Sequence, residues 1–209
     1  MDRTEPPVEL PHDAPIIGVL ALQGDVVEHL RALARVGARG VRVRRIGDLD
    51  QVDGLVIPGG ESTTIGKLLE RFGLFGPLQA RLQAGLPAFG TCAGMILLSR
   101  ELDQDEQQTL FGVLEVTTRR NAFGRQIDSF ERDLDITSIG APAMRAAFIR
   151  APYVVEVGEA VEVLAQVDGH PVLVTQGGRL LASSFHPEMT GDDRLHAHFV
   201  AMVRAVSAS

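Results

Sequence analysis

The stretch LPAFGTCAGMILLSR, residues 86–100, decides the fold of this chain. An apolar run leads into Cys92, the one cysteine of the sequence, and a second apolar run follows it. Gly90 and Gly94 flank the cysteine in the pattern G-x-C-x-G, and glycines permit a turn too sharp for residues with side chains. Such a turn between a strand and a helix holds a nucleophile exposed at its tip. The stretch therefore predicts an α/β fold with Cys92 as a nucleophile.

The sequence before this stretch alternates between strand and helix patterns. Short apolar or alternating runs that predict strands are IIGVLAL (16–22), VRVRRI (41–46) and GLVIPGG (54–60). Helices are predicted over residues 24–37, with Val26, Leu30 and Leu33 at helical spacing, and over 61–73, 77–85 and 93–102. This alternation predicts a parallel sheet with helices on both faces.

The pattern changes after Thr109, where strands and turns continue to Gln176, with DGHP (168–171) as a hairpin turn. One more strand is predicted over 179–188. An amphipathic helix is predicted over 190–206, with an apolar stripe of Leu195, Phe199, Met202, Val203 and Val206. We therefore expect a single three-layer domain over residues 15–209, with a mostly parallel sheet flanked by helices and an added antiparallel β region.

Composition sets limits on the class of protein. The 209 residues are 45% hydrophobic, which suits one compact domain. A net charge of −7 gives no support for nucleic-acid binding. No apolar run approaches the roughly 20 residues of a membrane span, and a lone cysteine cannot form an internal disulfide. We expect a cytoplasmic protein whose acidic, proline-rich residues 1–14 form a disordered tail.

A nucleophilic cysteine needs a base, and His186 is the candidate among the six histidines. It lies at the end of an apolar strand, whereas His29 is predicted on a helix, facing away from the site. Glu188 follows two residues later, and residues i and i+2 of an extended segment point to the same side. Glu188 is therefore predicted to contact the imidazole and fix its tautomer as the third member of a triad.

The segment VIPGGESTTIGK, residues 56–67, resembles a phosphate-binding loop but departs from its spacing. Five residues separate Gly60 from Gly66 where the motif has four, and Leu68 stands where a hydroxyl should bind magnesium. We interpret the segment as a glycine turn whose N–H groups, Gly60 among them, form an oxyanion hole with the N–H of Ala93. With one cysteine and no helical HxxxH pair, no metal is expected.

Together these motifs point to a family. GTCAG with a later HPE resembles the class I, triad-type glutamine amidotransferases. LALQGDVVEH, PGGESTT, GTCAGMILL, RRNAFGRQIDSFE, FIRAP and SSFHPE follow in order between Ile16 and Val206. This set is similar to the glutaminase subunits of pyridoxal 5′-phosphate synthase, the PdxT family, and the resemblance implies a flavodoxin-like sheet.

The resemblance also implies roles for particular residues. Cys92 would attack the side-chain amide of L-glutamine, His186 would carry the proton, and Glu188 would orient His186. The residues implied in substrate binding are Gly60, Glu61, Ser62, Arg120, Ile149 and Arg150. Gln23 would lie near the oxyanion turn and the synthase interface and take part in activation. No cofactor is implied, and the ammonia would pass to a TIM-barrel synthase subunit within a large hetero-oligomer.

Three alternatives stay open from the sequence. The chain could be a glutaminase of another pathway, such as the histidine type, although the RNAFGRQIDSF segment argues against it. It could be a cysteine hydrolase or chaperone-like protein of the same architecture, although HPE fits an amidotransferase better. It could also be an inactive binding module, against which the complete set of Cys92, His186 and Glu188 argues.

Overall fold

The computed structural model describes residues 10–103, 108–120 and 129–208. Most of the RNAFGRQIDSF segment and the first nine residues of the predicted tail therefore lie outside the described residues. Within the rest of the tail, Ala14 is buried and its N–H donates to the carbonyl of Pro11 at 3.1 Å. No helix of the described part is long and apolar enough to cross a membrane.

A seven-stranded sheet forms the centre of the described fold. Its strands in chain order are β1 (Ile16–Leu20), β2 (Arg39–Val43), β3 (Gly54–Ile57), β4 (Ala88–Thr91), β10 (Val161–Val167), β11 (His170–Gln176) and β12 (Leu180–Ser183). They are arranged in the order β10-β11-β12-β4-β3-β1-β2. The five strands from β12 to β2 are parallel, and β10 and β11 add an antiparallel edge. The predicted mostly parallel sheet is confirmed.

Helices cover both faces of this sheet, as the alternating sequence predicted. They are α1 (Val26–Arg35), α2 (Ser62–Arg71), α3 (Phe75–Gln83), α4 (Ala93–Leu98) and α5 (Arg194–Ser207). One apolar core joins β1 through Ile17 to α1 and α5 through Leu33 and Phe199. The other joins β1 through Leu20 to α2 through Ile65 and to α3 and α4. The result is the three-layer arrangement expected from the sequence.

Two smaller sheets make up the added β region. The strands β5 (Ser99–Leu102), β6 (Leu114–Arg119) and β9 (Tyr153–Val157) form one sheet, and β7 (Ser129–Leu134) pairs with β8 (Met144–Ile149) in an antiparallel ribbon. The prediction of one helix over residues 93–102 is wrong in its last part. The helix ends at Leu98, and Ser99 begins a strand because residues 99–102 pair with β6.

The strand order places a crevice at one end of the sheet. Going along the chain, β2 is added on one side of β1, and β3, β4 and β12 follow on the other side. In such sheets, ligands bind beyond the carboxyl ends of the strands where the order reverses. Here the loops after β1, β3, β4 and β12 meet, and they carry Gln23, Gly60, Cys92 and His186 in that order.

Candidate active site

Cys92 lies in a strained turn between β4 and α4. Its backbone has φ 48° and ψ −102°, a left-handed φ that residues with side chains rarely adopt. The turn is held by the Cys92 N–H, which donates to the carbonyl of Ser183 at the end of β12 at 2.7 Å. Strain of this kind costs about 1–3 kcal/mol and concentrates at functional sites. The backbone geometry is that of the elbow that the sequence predicted, but Cys92 is buried rather than exposed at its tip.

The two glycines of the elbow are required by close backbone contacts. A Cβ on Gly94 would lie 2.0 Å from the carbonyl oxygen of Ile57, at the end of the neighbouring strand β3. A Cβ on Gly90 would lie 2.5 Å from the backbone of Gly94. Both positions therefore exclude a side chain, and the pattern G-x-C-x-G follows from the packing of α4 against the sheet.

His186 and Glu188 contact each other as predicted, but through a different backbone geometry. The Nδ1 atom of His186 lies 2.8 Å from Oε1 of Glu188. Residues 187–189 form a 3₁₀ turn, so the expectation of an extended segment is wrong. The turn begins at Pro187, whose ring fixes φ in the helical range. It brings the carboxylate, which is buried, beneath the imidazole.

A second carboxylate approaches the same nitrogen. Oδ2 of Asp25, in the loop after β1, lies 3.4 Å from Nδ1 of His186. Because carboxylates only accept hydrogen bonds, Nδ1 carries the proton. In the neutral imidazole, Nε2 then keeps its lone pair, which is the arrangement a general base requires.

Opposing effects set the pKa values of His186 and Glu188. Burial lowers the pKa of His186, but contacts with Asp25, Cys92 and Glu188 outweigh it and raise that pKa above the ordinary value. Burial raises the pKa of Glu188, and its hydrogen bond with His186 acts in the opposite direction. These contacts therefore make the imidazole of His186 a stronger base than a free imidazole, able to accept a proton at Nε2.

The imidazole is fixed by backbone groups on two sides. The backbone N–H of His186 donates to the carbonyl of Ala147 in β8 at 2.9 Å. On the other side, a Cβ on Gly59 would lie only 2.3 Å from Cε1 of the ring. The added β ribbon and the turn after β3 therefore both determine where the base stands.

The turn after β3 is also fastened to the loop after β1. Oε1 of Gln23 accepts the N–H of Glu61 at 2.9 Å, and Gly60, with φ 146°, leaves the space that the Gln23 side chain occupies. The carbonyl of Gly59 lies against Gly24, where a Cβ would come within 1.9 Å of it. Gln23 thus sits beside the predicted oxyanion turn and controls one of its peptide groups.

A cavity of about 340 Å³ opens above Cys92, within the usual range for small-ligand sites. The predicted site residues that line it are Gln23, Gly60, Glu61, Ser62, Cys92, Ala93, Arg120, Ile149, Arg150 and His186. Glu188 is the one predicted site residue outside this lining, because it is buried behind the imidazole. The structure therefore brings all the sequence-predicted site residues together.

Glu61 and Arg120 form an ion pair in one wall of the cavity. The guanidinium of Arg120 donates to Oε1 of Glu61 at 2.9 Å and to the hydroxyl of Thr63 at 3.2 Å. The Glu61 carboxylate also caps helix α2, accepting the N–H of Thr64 at 2.8 Å. Burial raises the pKa of Glu61, but these hydrogen bonds and Arg120 lower it overall. A carboxylate and a guanidinium in one wall suit a ligand that carries both an ammonium and a carboxylate group.

Several residues at the site were not predicted from the sequence. Asp25, Ile96 and Met189 also line the cavity. The prediction that His29 faces away is wrong, because its Nε2 atom lies 3.5 Å from Oε2 of Glu188. The signal was available: His29 follows Val26 by three residues and precedes Leu33 by four, which places it on the inner stripe of α1.

Three ligand-type atoms come together at the base. Asp25, His186 and Glu188 each offer one atom, and these atoms lie within 4.8 Å of one another. The contacts of Nδ1 of His186 with the two carboxylates account for this cluster without a metal ion. The sequence-based expectation that the site uses no metal stays a prediction.

Comparison with known proteins identifies the class. Residues 19–205 match the model of the SNO glutamine amidotransferase family. A solved structure described as a glutamine amidotransferase superposes with a TM-score of 0.85 and 49% identity, covering 90% of this chain and 98% of the other. The chain belongs to the SNO glutamine amidotransferase family.

More specific likeness comes from two relatives named pyridoxal 5′-phosphate synthase subunit PdxT. The protein from Frankia alni is 59% identical over 192 residues, which cover 91% of this chain and 96% of the relative. The protein from Mycobacteroides abscessus is 59% identical over 193 residues, covering 92% and 99%. PurLQS from Thermotoga maritima, at 17% identity and a TM-score of 0.64, shares the fold alone.

Proposed function

We propose that this chain is the glutaminase subunit of a pyridoxal 5′-phosphate synthase. It hydrolyses L-glutamine to L-glutamate and supplies the ammonia to a synthase subunit. The observation that carries this proposal is the single cavity in which Cys92, His186 and the predicted substrate-binding residues meet. Its extension to the pyridoxal 5′-phosphate pathway rests on the likeness to relatives with that name.

The first half of the reaction forms a thioester. Nε2 of His186 takes the proton of the Cys92 thiol, and the sulfur attacks the side-chain amide carbon of glutamine. The negative charge that develops on the amide oxygen is stabilised by the N–H groups of Gly60 and Ala93. The intermediate collapses when the imidazolium gives its proton to the leaving nitrogen, so ammonia departs and a glutamyl thioester remains.

The second half restores the enzyme. His186 removes a proton from water as the water oxygen attacks the thioester carbonyl, and the same N–H groups stabilise the charge. The carbon–sulfur bond then breaks, the sulfur is reprotonated through His186, and glutamate is released. Throughout both halves Glu188 holds the imidazole in the tautomer with Nδ1 protonated.

Substrate recognition is assigned to the rest of the lining. Arg120 and Arg150 offer guanidinium groups for the α-carboxylate, and Glu61 offers a carboxylate for the α-ammonium group. The backbone at Gly60, Ser62 and Ile149 would contact the remaining polar groups of glutamine. The location of the protein in the cytoplasm and the TIM-barrel form of the synthase in a large hetero-oligomer stay predictions.

The experiment compares the wild-type chain with Cys92→Ala, each mixed with the synthase subunit encoded in the same genome. We expect Cys92→Ala to stop glutamate release from glutamine, because no other thiol is available in the sequence. Formation of pyridoxal 5′-phosphate from free ammonium should survive, since the synthase is intact. Glutamate release by Cys92→Ala would overturn the nucleophile assignment.

A second measurement separates this pathway from others. Glutamine-dependent formation of pyridoxal 5′-phosphate should require both subunits. Glutamate release without any transfer of nitrogen to pyridoxal 5′-phosphate would instead indicate a glutaminase of another pathway. Failure of a glutamine-derived diazoketone to label Cys92 would favour an inactive binding module.

A further inference from the structure

Three polar side chains form a buried network behind the proposed triad. Nδ1 of His29 lies 2.9 Å from Nε2 of His196, and Nε2 of His29 lies 3.3 Å from the hydroxyl of Thr91. The same Nε2 atom lies 3.5 Å from Oε2 of Glu188. The network joins α1, β4 and α5, and none of the three residues lines the cavity, so they cannot touch bound glutamine.

Both histidines of the network are neutral near pH 7. Burial lowers the pKa of His29 well below its ordinary value, with further lowering from His196 and His186. Burial also lowers the pKa of His196 to about 4, while Asp193 raises it and Arg35 lowers it. In a hydrogen bond between two neutral imidazoles, one ring donates and the other accepts.

The position of Glu188 decides which ring donates. If Nε2 of His29 carried a lone pair, that lone pair would face the carboxylate oxygen Oε2 and repel it. With the proton on Nε2, His29 instead presents a donor to Oε2, and its Nδ1 accepts the N–H of His196. Nδ1 of His196 then carries a lone pair and no proton. This agrees with its surroundings, because Nδ1 is buried and has no hydrogen-bond partner among the described residues. The opposite tautomers would leave a buried N–H there without an acceptor, which is the rarer and costlier case.

Oε2 of Glu188 needs such a donor. It too is buried without a hydrogen-bond partner within the described part of the chain, whereas Oε1 accepts from His186. The groups that face this carboxylate are His186 after β12, Asp25 in the loop after β1, and His29 on α1. Asp25 opposes ionisation of Glu188, and the N–H of His29 favours it. A separation of 3.5 Å is longer than a normal hydrogen bond of 2.7–3.2 Å, and catalytic hydrogen bonds often tighten only when substrate is bound.

We propose that His29 is a positioning residue of the active site, which holds the carboxylate of Glu188 in the plane that presents Oε1 to His186. His196 fixes the tautomer of His29 that makes this possible. This inference rests on the proposed function, because it takes Glu188 to be the residue that orients the base.

Two polar substitutions of His29 test the inference in the complex with the synthase. In His29→Gln the amide nitrogen can stand near the place of Nε2 and still donate to Glu188. In His29→Asn the shorter amide stays near Nδ1, so it keeps the contact with His196 but loses the donor to Glu188. We expect His29→Asn to lower kcat for glutamine about 10–100-fold, by analogy with the loss caused by changing residues that orient metal ligands, and His29→Gln to retain most of the wild-type kcat.

Three further readouts distinguish positioning from mere packing. KM for glutamine should change little, because His29 does not line the cavity. The acid limb of the pH profile of kcat/KM should move to higher pH in His29→Asn, because losing a donor raises the pKa of a carboxylate. In a Glu188→Gln background, His29→Asn should cost much less than in the wild type, because the two residues act as one unit.

The outcomes are separable from failure of the proposed function. If Glu188→Gln loses activity while His29→Asn, with an unchanged thermal midpoint, keeps the wild-type kcat and pH profile, the inference is overturned and the triad stands. Equal losses in His29→Asn and His29→Gln, with equal falls in thermal midpoint, would assign His29 to packing and also overturn it. Full activity of Glu188→Gln would show that Glu188 has no role in the triad, and the inference about His29 would fail with it. If either His29 variant fails to fold, His196→Phe is measured instead, because phenylalanine keeps a ring beside Phe89. An unchanged kcat and an unchanged pH profile in His196→Phe would contradict the role of the His196 contact.

Discussion

The imidazole of His186 fills the space that a side chain at Gly59 would need. A Cβ on Gly59 would lie 2.3 Å from Cε1 and 2.9 Å from Nδ1 of the ring. The identity of a loop residue after β3 therefore limits the position of the proposed base, which lies 127 residues later in the sequence. Substitution at Gly59 is a direct way to displace the base without changing its chemistry.

We expect Gly59→Ala to lower glutaminase activity at least 100-fold, because the imidazole must leave its present position, from which it contacts Cys92. The cost to stability should stay within about 1–3 kcal/mol, as for other overpacked sites. Gly76→Ala is the matched control: Gly76 lies in α3 with no atom within 4 Å of an added Cβ. That change should leave activity intact and slightly raise the thermal midpoint, since alanine favours helix. Wild-type activity in Gly59→Ala would contradict the placement of the base.

The triad residues should differ in how much their loss matters. His186→Asn removes the base and should lower kcat about 10²–10⁴-fold, the usual contribution of acid–base catalysis. Glu188→Gln should be milder, because Asp25 offers a second acceptor 3.4 Å from Nδ1 of His186. The double variant Asp25→Asn, Glu188→Gln should then lose more than the product of the single losses. Steady-state kinetics of glutamate release compare the wild type with these three variants and with the single variant Asp25→Asn, and full activity of the double variant would refute the role of these carboxylates.

Gln23 should contribute to activation by the synthase. Gln23→Ala removes the acceptor that holds the N–H of Glu61, so the turn that carries the Gly60 donor loses its anchor. One oxyanion donor is worth about 10²–10³-fold in rate, so disorder in this turn can remove most of the activity. The measurement is glutamate release during titration with synthase, with Gln83→Ala, an exposed residue at the end of α3, as control. Undiminished activation in Gln23→Ala would exclude this residue from the mechanism.

Stability should fall in mild acid because of the buried histidine pair. The folded-state pKa values of His29 and His196 lie below the unfolded value of 6.5, so unfolding takes up protons below that pH. Each group then removes up to about 1.4 kcal/mol per pH unit from the free energy of unfolding as pH falls from 6.5 toward the folded pKa. His186 has a raised pKa, so at pH 5 it is protonated in both states and adds no such loss.

Urea unfolding at pH 7, 6 and 5 measures this dependence. The free energy of unfolding of His196→Phe should depend less steeply on pH than that of the wild type, by up to about 1.4 kcal/mol per unit. An unchanged slope in that variant would mean that His196 takes up its proton equally in both states.

Much of the site was predictable because its signals are local. The elbow at Cys92 is encoded within five residues. Its glycines are required by close contacts with Ile57 and with the elbow's own backbone. The HPE motif keeps base and carboxylate two positions apart, so their contact was predictable even though the backbone between them forms a 3₁₀ turn. Short spacing limits the number of geometries and makes such predictions robust.

The buried network was not predictable in the same way. His29 and His196 are 167 positions apart, and no local pattern pairs them. Each histidine lies beside the apolar stripe of its helix, but the sequence predicts only that His29 faces away from the site, and nothing in it pairs His29 with His196. Only the packing of α1 and α5 on the same face of the sheet shows that the two rings satisfy each other.

The insertion of β12 beside β4 has a consequence for the newly made protein. Cys92 leaves the ribosome almost a hundred residues before His186, which follows the last strand of the central sheet. The carbonyl that holds the Cys92 turn belongs to Ser183 on that same late strand. A nascent or prematurely terminated chain therefore carries the thiol without its base and without its anchored turn. If the proposed triad is right, an incomplete chain cannot hydrolyse glutamine, and activity begins only when synthesis has passed the last strand.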